Sequence, residues 1–198
     1  MRGRNRKRRR GTAVLETALL ATPIVLLLLG VFAVGMNLGR AVHAGQVNRD
    51  AASMYVRGVD FSKNGSKDVL VRLAQGLGMT RDGGDGVVIL SKVTWMPQSK
   101  CTALALNPCN ADKHVITQRL TVGNPALRQS ALGVPDSDIV DSMGLVENYM
   151  QEPSAVAVFP YMQLIEGEFT YVTESYFSSP DFALPGFSTS GVYNIAMY

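Results

Sequence analysis

The chain has few of the residues that do chemistry. Its 198 residues include two histidines (His43 and His114), two cysteines (Cys101 and Cys109) and one tryptophan. Neither histidine stands in a pattern that would place it beside a nucleophile. Cys101, Cys109 and His114 could be drawn together as metal ligands, but C-x7-C is not a zinc spacing and a fourth ligand is missing. G-x-S-x-G, P-loop and H-E-x-x-H patterns are absent, and the carboxylates are too scattered to suggest an acid/base pair. Arg81-Asp82-Gly83-Gly84-Asp85-Gly86 sets two aspartates among glycines, but without the EF-hand spacing or a distal glutamate it reads as a turn. The expectation is a non-enzyme with no metal, cofactor or small-molecule substrate.

Charge is missing from one stretch in particular. Glu16 is the only charged residue between Arg10 and Arg40, and Thr17 to Gly39 is a run of 23 uncharged residues. At about 1.5 Å per residue that run reaches about 35 Å, enough for a hydrocarbon core of roughly 30 Å with some tilt. A secretory signal peptide shares the basic head and apolar middle. Here the apolar part exceeds the usual 7–15 residues or so, and Gly35-Met36-Asn37-Leu38-Gly39-Arg40 offers no clean small-x-small cleavage site. A retained transmembrane helix is therefore expected. Seven basic residues (Arg2, Arg4, Arg6, Lys7, Arg8, Arg9 and Arg10) precede it, which predicts a cytoplasmic N-terminus and an outer location for everything beyond Arg40. A nucleic-acid role for this cluster is disfavoured, since it abuts the apolar run and carries no interleaved aromatics. Without residues 1–11 the basic count falls from 19 to 12 against 16 acidic residues, so the formal charge moves from +3 to −4.

Glu16 is costly where it stands: at a bilayer centre a carboxylate costs roughly 2.5–3.5 kcal/mol on insertion scales, less near the interface. A basic leader ending in Gly11, a cut before Thr12, and glutamate at the fifth position of the product together resemble type IV prepilins and pseudopilins. The continuation resembles the TadE-like pseudopilins of tight-adherence (Flp) pilus systems, particularly from Val47-Asn48-Arg49-Asp50-Ala51-Ala52 through Arg57-Gly58. The likeness spans residues 8–58 and is looser beyond. Thr12 in place of a large apolar residue, and Pro23 early in the helix, depart from the pattern. The resemblance implies a structural subunit processed by a membrane prepilin peptidase. Its partners would be other pilin-like subunits and the inner-membrane assembly platform. Physically, cleavage would remove seven positive charges and create an α-amino group at Thr12, four residues from Glu16, so that a lone buried carboxylate gains a partner. The competing reading is an uncleaved, singly anchored binding or adhesion module, which has no use for the Gly11/Glu16 spacing.

Gly30, Gly35 and Gly39 mark the apolar helix, the last two forming G-x-x-x-G. Pro23 is expected to kink it. Leu38, Val42, Ala52, Tyr55, Val56 and Val59 extend a helical periodicity to about Gly58 and would offer an apolar stripe to the domain beyond. The expected organisation is therefore a leader (1–11), a transmembrane and extended helix (12–58), and an α+β extracytoplasmic domain with an antiparallel sheet (59–198). In that domain a helix is expected over Asp68 to Leu77. A strand carries Val87, Ile89, Val93 and Trp95 on one face. Its partner, His114 to Val122, has Ile116, Leu120 and Val122 facing in and Gln118 out. A third strand runs from Glu168 to Tyr176, and Ala155 to Phe159 suggests a fourth. Ile139, Met143, Val146 and Met150, led by Asp136, Asp138 and Asp141, suggest a helix. Ser178 through Gly186 is turn-rich. Cys101 and Cys109 lie in one short connection, and an oxidising outer compartment would join them as a disulfide.

Overall fold

A computed structural model describes residues 4–178 and 191–198, with side chains from Val14 onward. Helix α1 spans Arg4–Val56 and continues without interruption through Pro23. It is followed by α2 (Asn64–Leu73), strand β1 (Gly86–Met96), α3 (Gln98–Ala103), β2 (Lys113–Gly123), β3 (Phe169–Phe177) and β4 (Val192–Met197). The strands form one antiparallel sheet in the order β2-β1-β3-β4. The chain is thus α+β, with a long N-terminal apolar helix and a four-stranded antiparallel sheet. By contacts it separates into two compact units, Met1–Arg40 and Ala41–Tyr198. The second takes in the end of α1, because those residues pack into the core of the sheet domain.

Within that domain both faces of the sheet are covered. One face carries Val88, Leu90, Leu120, Val122 and Phe177, packed under Ala44, Val47, Ala51 and Tyr55 of α1 with Phe61 and Leu70. Positions 44, 47, 51 and 55 recur at helical spacing. Of the expected stripe, Ala52 and Tyr55 are buried and Val59 packs against this cluster, whereas Leu38, Val42 and Val56 are exposed. Two of the four contact positions are alanines, Ala44 and Ala51, whose methyl groups allow a close approach, and Val47 and Tyr55 fill the rest. The other face carries Val93, Ile116 and Val172 under a loop layer with Leu132, Val146, Ala155, Ala157, Phe159 and Leu164. Burial on both faces is why β1, the second strand of four, is buried along most of its length.

The β1–β2 register breaks between Lys92 and Val93. Lys92 pairs with Gln118, but Val93 pairs with Ile116, so Thr117 is an extra residue in β2. Its hydroxyl donates to the Lys92 carbonyl (3.2 Å). The bulge moves Ile116 to the face opposite Leu120 and Val122. Gln118 stays on their face and does not point out as expected. Its Oε1 accepts a hydrogen bond from the Tyr55 hydroxyl (3.0 Å), and its Nε2 donates to the Met143 carbonyl (3.1 Å).

Three further expectations are corrected. Residues 136–150 form a single 3-10 turn at Ser137–Ile139 followed by bridged turns, not a helix. The Asp141 carboxylate accepts from the amides of Met143 (2.8 Å) and Leu145 (2.7 Å), capturing donors that a helix would use. Gly144 adopts φ +76 against β2, where an added Cβ would lie 2.5 Å from the Arg119 carbonyl. Ala155 to Phe159 is not the fourth strand: it follows a 3-10 turn at Pro153–Ala155 and touches β2 through one bridge, Val115 to Val156. The fourth strand is Val192–Met197, close to the end of the chain. The expected helix at 68–77 begins four residues earlier and ends at Leu73. The turn-rich stretch expected from Ser178 lies outside the described residues from 179 to 190.

Candidate functional site

The apolar helix carries the first set of candidate residues. Gly11 and Thr12 fall within α1, and their side chains lie outside the described residues. Glu16 is exposed and, among the described residues, has no ion-pair partner. Every Val, Leu, Ile, Met and Phe from Val14 to Leu38 is exposed as well. Burying one such side chain is worth about 1.5–3 kcal/mol, so a run of this length has a large driving force to leave water. It has a mean hydropathy of 2.5 over its most apolar window, of which 6% is buried, and is long and apolar enough to cross a membrane. The core helix of a soluble protein would be mostly buried. Two of its hydroxyls bond the helix's own backbone: that of Thr17 donates to the Val14 carbonyl (3.0 Å) and that of Thr22 to the Ala18 carbonyl (3.2 Å). A Cβ added at Gly30, Gly35 or Gly39 would meet nothing within 4 Å. Any close approach that these glycines serve must therefore come from another helix.

In the domain, Cys101 and Cys109 are joined as a disulfide with Cα atoms 6.0 Å apart. Cys101 is buried against Met96 and Val115. The bridged segment is also held by Asn110, whose side-chain amide donates to the carbonyls of Tyr149 (2.9 Å) and Glu152 (2.7 Å). The disulfide thus closes a connection that is already tied to the segment carrying Tyr149 and Glu152.

A buried polar network, not anticipated from the sequence, lies on the sheet face away from α1. The Glu174 carboxylate of β3 is 1% exposed. It accepts hydrogen bonds from the Ser130 hydroxyl, the Ala131 amide (2.8 Å) and the Tyr193 hydroxyl (2.7 Å). Arg119 of β2 brings Nη1 to 3.9 Å from it and donates through Nη2 to the Gly133 carbonyl (2.7 Å). Burial pulls the Arg119 guanidinium down to about 10, a fall that the Glu174 charge opposes. Burial pushes the Tyr193 hydroxyl up, and its hydrogen bond to Glu174 adds to that. Both groups stand mid-strand, and that is the signal the sequence held: a charge withdrawn from water within a sheet needs an opposite one. Reading the strands one at a time concealed it.

The histidines have structural surroundings. His43 Nε2 lies 3.0 Å from the Leu73 carbonyl, joining α1 to the end of α2. His114 sits edge-on to Trp95 (4.9 Å) and Phe159 (5.1 Å), and burial lowers its pKa. Among the described residues no three His, Cys, Asp or Glu are placed to hold a metal ion. No family model, curated protein or solved structure matches this chain. The geometry defines a class only: an α+β domain carried on a long apolar N-terminal helix.

Proposed function

We propose that this chain is a TadE-like minor pilin or pseudopilin, a membrane-anchored structural subunit for assembly of a Flp or type IV-like pilus or pseudopilus. One observation carries the reading. From Val14 to Leu38 the helix exposes every large apolar side chain and, without an ion-pair partner among the described residues, the carboxylate of Glu16, five residues after Gly11. An anchor alone needs no carboxylate there, whereas a subunit that must register with neighbours in lipid can use one. On this reading the helix spans the inner membrane with residues 1–11 cytoplasmic and the disulfide-bearing domain outside. A prepilin peptidase cuts between Gly11 and Thr12. The new Thr12 ammonium then pairs with Glu16 within a chain or between chains. The partners are other pilin-like subunits and the assembly platform.

The test is the intact mass of the protein purified from membranes of its native host. Loss of residues 1–11 is the expected result, and replacing Gly11 with a bulky residue should abolish it. Full-length protein in the presence of an active prepilin peptidase would transfer the reading to a permanently anchored module.

A further inference from the structure

A cleft of about 220 Å³ opens beside the buried network, lined by Ile89, Arg119, Thr121, Pro125, Arg128 and Val134 among others. It combines an apolar surface with two guanidinium groups. Arg119 forms part of its wall with a side chain only 10% exposed. Two of its nitrogens, Nε and Nη1, have no hydrogen-bond partner among the described residues. Nη1 sits 3.9 Å from Glu174, too far for a hydrogen bond, and the Glu174 oxygens already accept from Ser130, Ala131 and Tyr193. The buried cation is therefore only partly compensated. Arg128 lies at the rim, exposed, with its guanidinium carbon 4.0 Å from the Tyr193 ring centroid. Among the described residues no carboxylate pairs with it. Stacking on a ring holds the guanidinium plane while leaving its edge N–H groups free for a second partner. Two arginines against the single carboxylate of Glu174 leave the cleft with an excess of positive charge.

The geometry points to a binding site for a small aliphatic carboxylate group. The anion would take the free edge of Arg128 as a two-point ion pair, within the field of Arg119. The apolar body would rest on Ile89, Pro125 and Val134. An acid of this kind has two sources: a free short-chain aliphatic acid, or a glutamate side chain on a neighbouring polypeptide. Every residue of the site lies in the sheet domain and none in α1, so it stands whether or not the chain is a pilin.

The experiment follows the Arg Nε–Hε signals of the full-length protein in uncharged detergent by two-dimensional NMR. One arm adds 3-methylbutanoate, a second its neutral amide, and a third an end-blocked peptide with one internal glutamate. Saturable shifts with the acid or the peptide, absent with the amide, are expected at millimolar affinity, about what a few good contacts supply. Arg128→Gln should weaken binding by about tenfold or more, on the scale of one lost charge-assisted pair, while leaving the melting temperature unchanged. The acid binding alone marks a free ligand; the peptide binding as well marks a glutamate of a partner chain. Shifts that are equal with the amide, unaffected by Arg128→Gln, or absent in all arms would overturn the proposal.

Discussion

Arg119 and Glu174 meet across an intervening strand. They lie on β2 and β3, which flank β1, and Nη1 and Oε2 are 3.9 Å apart. The contact pulls together three strands and, through Ser130 and Ala131, the loop layer above them. Its charges are almost fully withdrawn from water.

Breaking such a pair from one side is expected to cost more than removing it whole. Glu174→Gln should destabilise the domain by about 3–5 kcal/mol, because the Arg119 charge then stays buried without compensation. The double change Arg119→Met with Glu174→Leu should cost less than the two single changes summed. Urea unfolding of the parent, Arg119→Met, Glu174→Leu and the double variant measures this, with Glu174→Gln read beside them, and strict additivity would show that the two groups do not sense each other.

The disulfide between Cys101 and Cys109 should persist in protein purified from its native host. Peptide mapping without reduction should recover the two cysteines in one linked species. Both alkylated as free thiols would count against the bond and against an outer location for the domain. Replacing both by serine should cost about 2.5 kcal/mol in the chain-entropy treatment of so short a loop. Asn110 and its partners should hold part of the connection even then.

If the chain is the pilin-like subunit proposed above, Glu16→Leu should leave cleavage and domain stability unchanged and weaken association with other such subunits. The substitution removes a charge that costs up to roughly 2.5–3.5 kcal/mol in the bilayer centre, so the variant should sit in the membrane at least as well. What it lacks is the counter-charge for a Thr12 ammonium. The processed fraction by mass and the yield of co-purified subunits are the paired measurements. Unchanged association would reduce Glu16 to an interfacial carboxylate.

Acid should weaken the domain partly through His114. Burial holds its native pKa below the ordinary 6.5, so the unfolded chain binds this proton more readily than the folded one. Its contribution is complete above the unfolded pKa and is lost progressively as pH falls from there towards the native value. The fall in melting temperature between about pH 7.5 and about pH 5 should therefore be smaller in His114→Phe than in the parent. Identical slopes would assign the acid sensitivity elsewhere.

Some of this architecture is legible in local pattern alone. The absence of charge from Thr17 to Gly39 is enough to predict one long apolar helix, since hydropathy is a sum over neighbours in sequence. Alternation of apolar and polar residues locates β1, β2 and β3, and the closeness of Cys101 and Cys109 in the chain suggests their own bond. Other features depend on partners distant in the chain. Ile139, Met143, Val146 and Met150 have helical spacing, yet Asp141 and Gly144 bind that segment to β2 in turns, because side-chain capture of backbone amides and close approach to a strand outweigh a weak helical preference. Thr117 reverses the facing of Ile116 only because β1 stands beside it with one residue fewer. Arg119 and Glu174 stand 55 residues apart, and the sheet order that brings them together is a tertiary fact. Sequence alone determined where the chain avoids water, because transfer free energy belongs to each residue. Which charges share a buried site was decided by the fold, because electrostatic compensation belongs to pairs.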